Sequence, residues 1–230
     1  MAEVKLTVHR ALALKKTTEE RIINVLTDGS PFIATRQGKK TTINGVPVEK
    51  IESDIRARYD KIQQLISNYL RLKKALLQSN AGLNGNEQVR TVTVAGKEYT
   101  MAELIDASDN VYGNKKHIRA FLPLFLNALK ANYSDATRRV ERAHEKVEQD
   151  IKDYLAKAAG ADKALSSDDI KKRSEMFHED GDMYLIDPLN LKEIIEKLEA
   201  DIKAFRVDCD ATMSEQNALT TVTVDLTDVD

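Results

Sequence analysis

Ile55-Arg56-Ala57-Arg58-Tyr59-Asp60-Lys61-Ile62-Gln63-Gln64-Leu65-Ile66-Ser67-Asn68-Tyr69-Leu70-Arg71-Leu72-Lys73-Lys74-Ala75-Leu76 is the stretch that decides the fold. Ile55, Ile62, Tyr69 and Leu76 fall seven apart, Leu65 and Leu72 each follow a member of that series by three, and Ile66 widens the stripe. Apolar side chains at this period line one face of an α-helix and resemble the seam of a coiled coil. The pattern predicts a helix from about Val48 to Asn80 whose stripe must be buried. Arg58 stands where an early apolar residue would complete the stripe, so the seam is expected to open to water at that end.

A second stripe lies near the end of the chain. Ile195, Ile202 and Cys209 are seven apart, interleaved with Leu191, Leu198, Phe205, Thr212 and Leu219. Asp187-Pro188 suits a helix start, Asp as N-cap and Pro at the first helical position. The predicted packing seam is therefore Ile55, Ile62, Leu65, Tyr69, Leu72 and Leu76 with Ile195, Leu198, Ile202, Phe205 and Cys209. The two helices pair either within one antiparallel bundle or between chains. Cys209 reads as a small apolar side chain on that seam.

Working outward, Val8, Leu12, Ile22, Ile23 and Leu26 predict a first helix over Val4 to Leu26, ended by Asp28-Gly29-Ser30-Pro31. Thr100-Met101-Ala102-Glu103 is a capping box. The helix it opens is expected to run to Leu129 with a kink at Pro123. Beyond Ser134, Val140, Val147 and Tyr154 continue a narrow stripe. Residues 159–187 read as a loop-rich connection with a short helix near Asp168 to Phe177.

Two strand-turn signals interrupt the helices. One covers about 32–47, with Asn44-Gly45 as a tight turn, and the other about 89–99, turning at Gly96. Thr42-Ile43-Asn44-Gly45 and Thr93-Val94-Ala95-Gly96 align, each leading into a helix, as in an internal duplication or two independent glycine turns. Within the tail, 220–230, Thr220 to Leu226 alternate like a strand that either frays or pairs with a hairpin of its own or a neighbouring chain, and Val222, Val224 and Leu226 are candidate contacts between subunits. The expected architecture is a mainly α single elongated domain, 1–230: a long antiparallel helical bundle with small β-hairpins and a strand-like tail.

Composition limits function more than it reveals it. Of 230 residues 31 % are charged and 5 % aromatic, with no Trp, as in helical bundles. The net charge of −2, from 35 basic and 37 acidic side chains, gives no reason to expect nucleic acid or an anionic membrane as partner. Lys115-Lys116-His117-Ile118-Arg119 and Arg138-Arg139 are diluted by acidic neighbours. The first ten residues carry Glu3, Lys5, His9 and Arg10, and no long apolar run follows, so a cytoplasmic protein is expected. One cysteine excludes an intrachain disulfide.

Chemistry has little to stand on. His9, His117, His144 and His178 fall in separate segments without metal-ligand spacing. His178-Glu179-Asp180-Gly181-Asp182 is the densest group of potential ligands, but it lacks the alternation of a calcium loop and reads as a solvated acidic loop. Neither a phosphate-binding glycine loop nor a Gly-x-Ser-x-Gly elbow is present. No catalytic residue, cofactor or metal ligand is assigned.

Several short pieces resemble one family in the same order. They are Arg10-Ala11-Leu12-Ala13-Leu14-Lys15-Lys16, the Leu65 to Asn80 helix ending in Ser79-Asn80-Ala81, Tyr99-Thr100-Met101-Ala102-Glu103-Leu104, Asp187-Pro188-Leu189, and Glu215-Gln216-Asn217-Ala218-Leu219-Thr220-Thr221. Together they resemble small helical proteins of bacteria and bacteriophages, some called septicolysin. The chain departs from them by extra length at Phe32 to Val46, Val89 to Glu98 and Ser134 to Asp182. The resemblance implies a helical, ring- or bundle-forming oligomer.

The combined expectation is a non-enzymatic assembly protein that pairs with itself and with other structural proteins. A bacteriophage collar, neck, tail or decoration protein is the leading form, made in the cytoplasm and built into a virion. The rivals are a cytoplasmic binding module or assembly chaperone, and a metal-dependent enzyme using His178 to Asp182. A membrane-active toxin is disfavoured by the charged helix faces.

Overall fold

The structure, a computed structural model, describes residues 6–80, 91–113, 120–159 and 166–219. It is mainly α, 76 % helical, with six α-helices and small two-stranded sheets among the described residues. In order these are α1 (Val8–Thr27), β1 (Ala34–Gln37), β2 (Thr42–Ile43), β3 (Val46–Pro47), α2 (Val48–Asn80), β4 (Thr91–Val94), β5 (Lys97–Thr100), α3 (Met101–Asp106), a π-helical turn (Ala107–Val111), α4 (Phe121–Ala159), α5 (Ser167–Gly181), β6 (Met183–Ile186) and α6 (Leu191–Leu219).

Internal contacts group the chain into two compact units, a finer division than the single domain read from the sequence. The first takes Met1–Glu19, Ser67–Leu126 and Glu196–Asp230, the second Glu20–Ile66 and Asn127–Ile195. The predicted seams are covered within one chain. Ile55, Ile62, Tyr69, Leu76, Ile195, Ile202, Phe205 and Cys209 are buried, and Leu65, Leu72 and Leu198 half-buried.

In the first unit, Phe205 and Cys209 of α6 pack with Val92 and Val94 of β4, Leu104 of α3 and Ala107 of the π turn. Tyr112 stacks flat on Phe205 at 3.6 Å, and Tyr99 meets it edge-on at 5.9 Å. The capping box forms: Glu103 N–H donates to the Thr100 hydroxyl and Thr100 N–H to the Glu103 carboxylate. The long helix expected from it does not follow. It ends after Asp106 in the π turn, and Pro123 sits in the first turn of α4, where a missing N–H costs no helical hydrogen bond. Pro123 therefore helps begin a helix instead of kinking one.

In the second unit, Arg58 corrects the expected wet end of the seam. Its side chain is only 12 % exposed, lies over the Phe32 ring, and donates to Asp28 and to the Val25 carbonyl. A cation thus completes the apolar stripe because two acceptors meet it there. α1 is shared by both units and its stripe is corrected in part: Ile22 is buried as expected, together with Ala11, Thr18 and Val25, while Val8, Leu12 and Ile23 are exposed.

The element predicted over 32–47 divides. Only β2 and β3 form a hairpin around Asn44-Gly45, while β1 pairs antiparallel with β6, Ala34 opposite Ile186. The predicted loop 159–187 holds α5 and β6 beyond residues 160–165, which lie outside the described residues. Asp187 is not the N-cap of α6: its carboxylate accepts from Leu189 and Leu191 N–H across a turn, and the helix begins at Leu191. The hairpin predicted over 89–99 is β4–β5, Thr91 opposite Thr100, with residues 89 and 90 outside the described residues.

Candidate functional site

Two places gather polar side chains against apolar walls. In the first unit a cleft of about 340 Å³ is lined by Leu70, Lys73 and Leu77 of α2, Tyr99 of β5, and Asp106 and Val111 at the π turn. Its size suits a small molecule, and π turns are frequent at functional sites. Its part-buried charged groups, Lys73, Asp106 and Glu103, are engaged with partners. The Lys73 ammonium lies 2.6 and 2.7 Å from the two Asp106 oxygens, and Asn110 donates to Asp106 at 2.8 Å. Glu103 is held by the capping box and by Gln78.

Burial lowers the Lys73 pKa below the ordinary lysine value, and Asp106 offsets that only in part. Burial pushes the Tyr99 phenol well above its usual value. Burial also raises the Cys209 thiol, which is fully buried and so apolar in behaviour, as predicted. Lys73 and Asp106 are thus held by each other and by Asn110.

In the second unit the β1–β6 ribbon and the end of α5 form the other place. Gly38 (φ +53°) follows β1, and a Cβ there would collide with the Glu179 carbonyl oxygen, so only glycine allows the chain to pass. Gly38 N–H donates to the Asp182 carbonyl at 2.7 Å, Gln37 donates to the Asp180 carbonyl, and Lys39 pairs with Glu179. Beside the ribbon is a groove of about 710 Å³ that includes Ile33, Thr35, Ile43, Val46, Arg139 and Met183.

This junction also brings together side chains that the sequence places apart. His144 of α4 and His178 of α5 both face Asp182, at 3.2 and 3.0 Å. Their separation in sequence, 34 positions, hid the group, and the only local hint was that His178 and Asp182 stand four apart. His9 is exposed on α1 and does not join them. His117, Lys115 to Arg119 and the tail contacts Val222, Val224 and Leu226 lie outside the described residues. Arg138 pairs with Asp135.

No family model matches this chain, and neither does any curated protein or solved structure. No helix among the described residues is long and apolar enough to cross a membrane.

Proposed function

We propose that this chain is a non-enzymatic structural protein that assembles with copies of itself and with other structural proteins. A bacteriophage particle is the setting to which the family resemblance points, as a collar, neck, tail or decoration component. The observation that carries the reading is the β1–β6 ribbon. Among the described residues it has two strands, each with one edge that none of those residues pairs, and Tyr184 and Leu185 are 44 % and 39 % exposed. Open edges with apolar side chains are templates for a strand from another chain. With the helix seams already buried, the ribbon and its groove support assembly better than the seams do.

Sedimentation analysis of the purified chain tests this: a defined oligomer is expected, and a Tyr184→Lys, Leu185→Lys double variant should dissociate it without loss of helical signal. A monomer at all concentrations overturns the reading. Capsid and tail genes beside this one would support the virion setting. The cleft beside Lys73 favours a second reading, a cytoplasmic binding module, which a monomeric chain that retains a bound small molecule would support.

A further inference from the structure

The geometry points to a transition-metal site of the zinc class in the second unit, with His144, His178 and Asp182 as ligands and Glu148 orienting His178. His144 and Glu148 stand four apart on α4, and His178 and Asp182 stand four apart at the end of α5. Residues at that spacing share a helix face, so each helix offers an aligned pair. Gly181 lets the pairs meet: a Cβ there would run into Val147, which lies between His144 and Glu148.

Three potential donors lie close together. His144 Nδ1 is 3.2 Å from Asp182 Oδ1, His178 Nδ1 is 3.0 Å from Asp182 Oδ2, and one ligand atom from each of the three lies within 4.8 Å of the others. Bonds of about 2.0–2.1 Å to a tetrahedral ion set neighbouring donors about 3.3 Å apart. The two nitrogen–oxygen spans have that size but end on different oxygens of Asp182, so a modest turn of one imidazole is needed to bring one donor from each residue onto an ion. The imidazole rings lie 27° from parallel with centroids 5.5 Å apart, both facing the same carboxylate.

Asp182 is the fixed ligand, and His144 the adjustable one. The Asp182 N–H donates to the His178 carbonyl at 3.1 Å while its own carbonyl accepts from Gly38. The His144 side chain is 57 % exposed and has room to turn toward an ion. Glu148 Oε1 lies 3.4 Å from His178 Nε2. An Nε2–H directed at that carboxylate leaves the Nδ1 lone pair for the metal, the outer-carboxylate arrangement that fixes the tautomer of metal-bound histidines.

Two imidazoles and one carboxylate suit zinc, cobalt, nickel or copper, whereas magnesium and calcium take shells of oxygen. The fourth position falls to water. Such an ion would tie α4 to the junction of α5 and β6. This site is independent of self-assembly, so either reading can fail alone.

The test is calorimetric titration of the chelator-stripped full chain with zinc chloride and, separately, magnesium chloride. One zinc per chain is expected, with no magnesium heat, and cobalt should give the visible absorption of a four- or five-coordinate ion. His144→Ala should weaken zinc about 100-fold and Glu148→Gln about 10-fold, while His9→Ala changes nothing. Circular dichroism checks that each variant is folded. Absence of saturable zinc binding by the wild-type chain overturns the site, as does a folded His144→Ala variant that binds zinc as tightly as the wild type.

Discussion

Arg58 of α2 closes on Asp28, just past the end of α1, with Nη2 2.6 Å from Oδ1 and Nη1 2.9 Å from Oδ2. Hydrogen bonding to Arg58 brings the Asp28 pKa down from 3.8 to about 2. A planar guanidinium meeting both carboxylate oxygens while resting on the Phe32 ring combines charge, direction and packing.

Loss of that pair should be measurable and pH-dependent. Asp28 is half exposed, so solvent screening holds its contribution to about 1 kcal/mol, while Arg58→Ala, which also uncovers Phe32, should cost about 2–3 kcal/mol. A depressed carboxylate stabilises the fold above its unfolded pKa and loses that contribution as pH falls through its folded value. The gap in urea stability between wild type and Asp28→Asn should therefore be constant above about pH 5 and shrink from pH 4 toward 2. A gap that widens on acidification contradicts this.

The Lys73–Asp106 pair predicts the opposite pattern for single and double variants. Because desolvation outweighs the attraction of Asp106, the Lys73 pKa is lowered, and the fold gains stability as pH rises through the folded value toward that of the unfolded chain. Lys73→Met alone strands the carboxylate and should cost about 1–3 kcal/mol. The Lys73→Met, Asp106→Leu double variant should be at least as stable as wild type, since a part-buried ion pair is replaceable by apolar volume. Denaturant titration of all three chains at pH 7 decides it.

The hairpin turns offer a repair. Asn44-Gly45 and Ala95-Gly96 share one conformation, with φ of 49° and 80° in the first and 49° and 73° in the second. Alanine pays a steric penalty there that asparagine and glycine largely avoid. Ala95→Asn should stabilise the chain by about 0.5–1 kcal/mol and Asn44→Ala should destabilise it by a similar amount, read as shifts in thermal midpoint.

Glycines of equal sign in φ should differ in tolerance. Gly29 (φ +76°) has open space where a Cβ would stand, whereas at Gly38 (φ +53°) the Glu179 backbone is in the way. Gly29→Ala should cost about 1 kcal/mol. Gly38→Ala should cost more than twice that and loosen the β1–β6 pairing, visible as faster amide exchange at Arg36 and Tyr184, the next hydrogen-bonded pair of the ribbon after Gly38 and Asp182.

Much of the helical architecture was legible because its signal is local. The Ile55 to Leu76 period fixed α2, the Thr100–Glu103 box fixed the start of α3, and Asn44-Gly45 fixed one hairpin, each through residues within a few positions of one another. The apparent repeat around Gly45 and Gly96 corresponds to one turn conformation used twice, each time opening into a helix. The misread strand arrangement has a different cause. β1 found its partner in β6, nearly 150 positions away in sequence, and four-residue strands carry too little pattern to announce a distant partner.

The sequence by itself determined a mainly helical chain with two buried heptad stripes, an apolar Cys209 and glycine turns, since period, capping and turn chemistry act over a few residues. Only the tertiary structure decided that Arg58 is buried with Asp28, that β1 joins β6, and that His144 meets His178 at Asp182. Those meetings depend on where long helices cross and on the two close approaches that Gly38 and Gly181 permit, which no local pattern records.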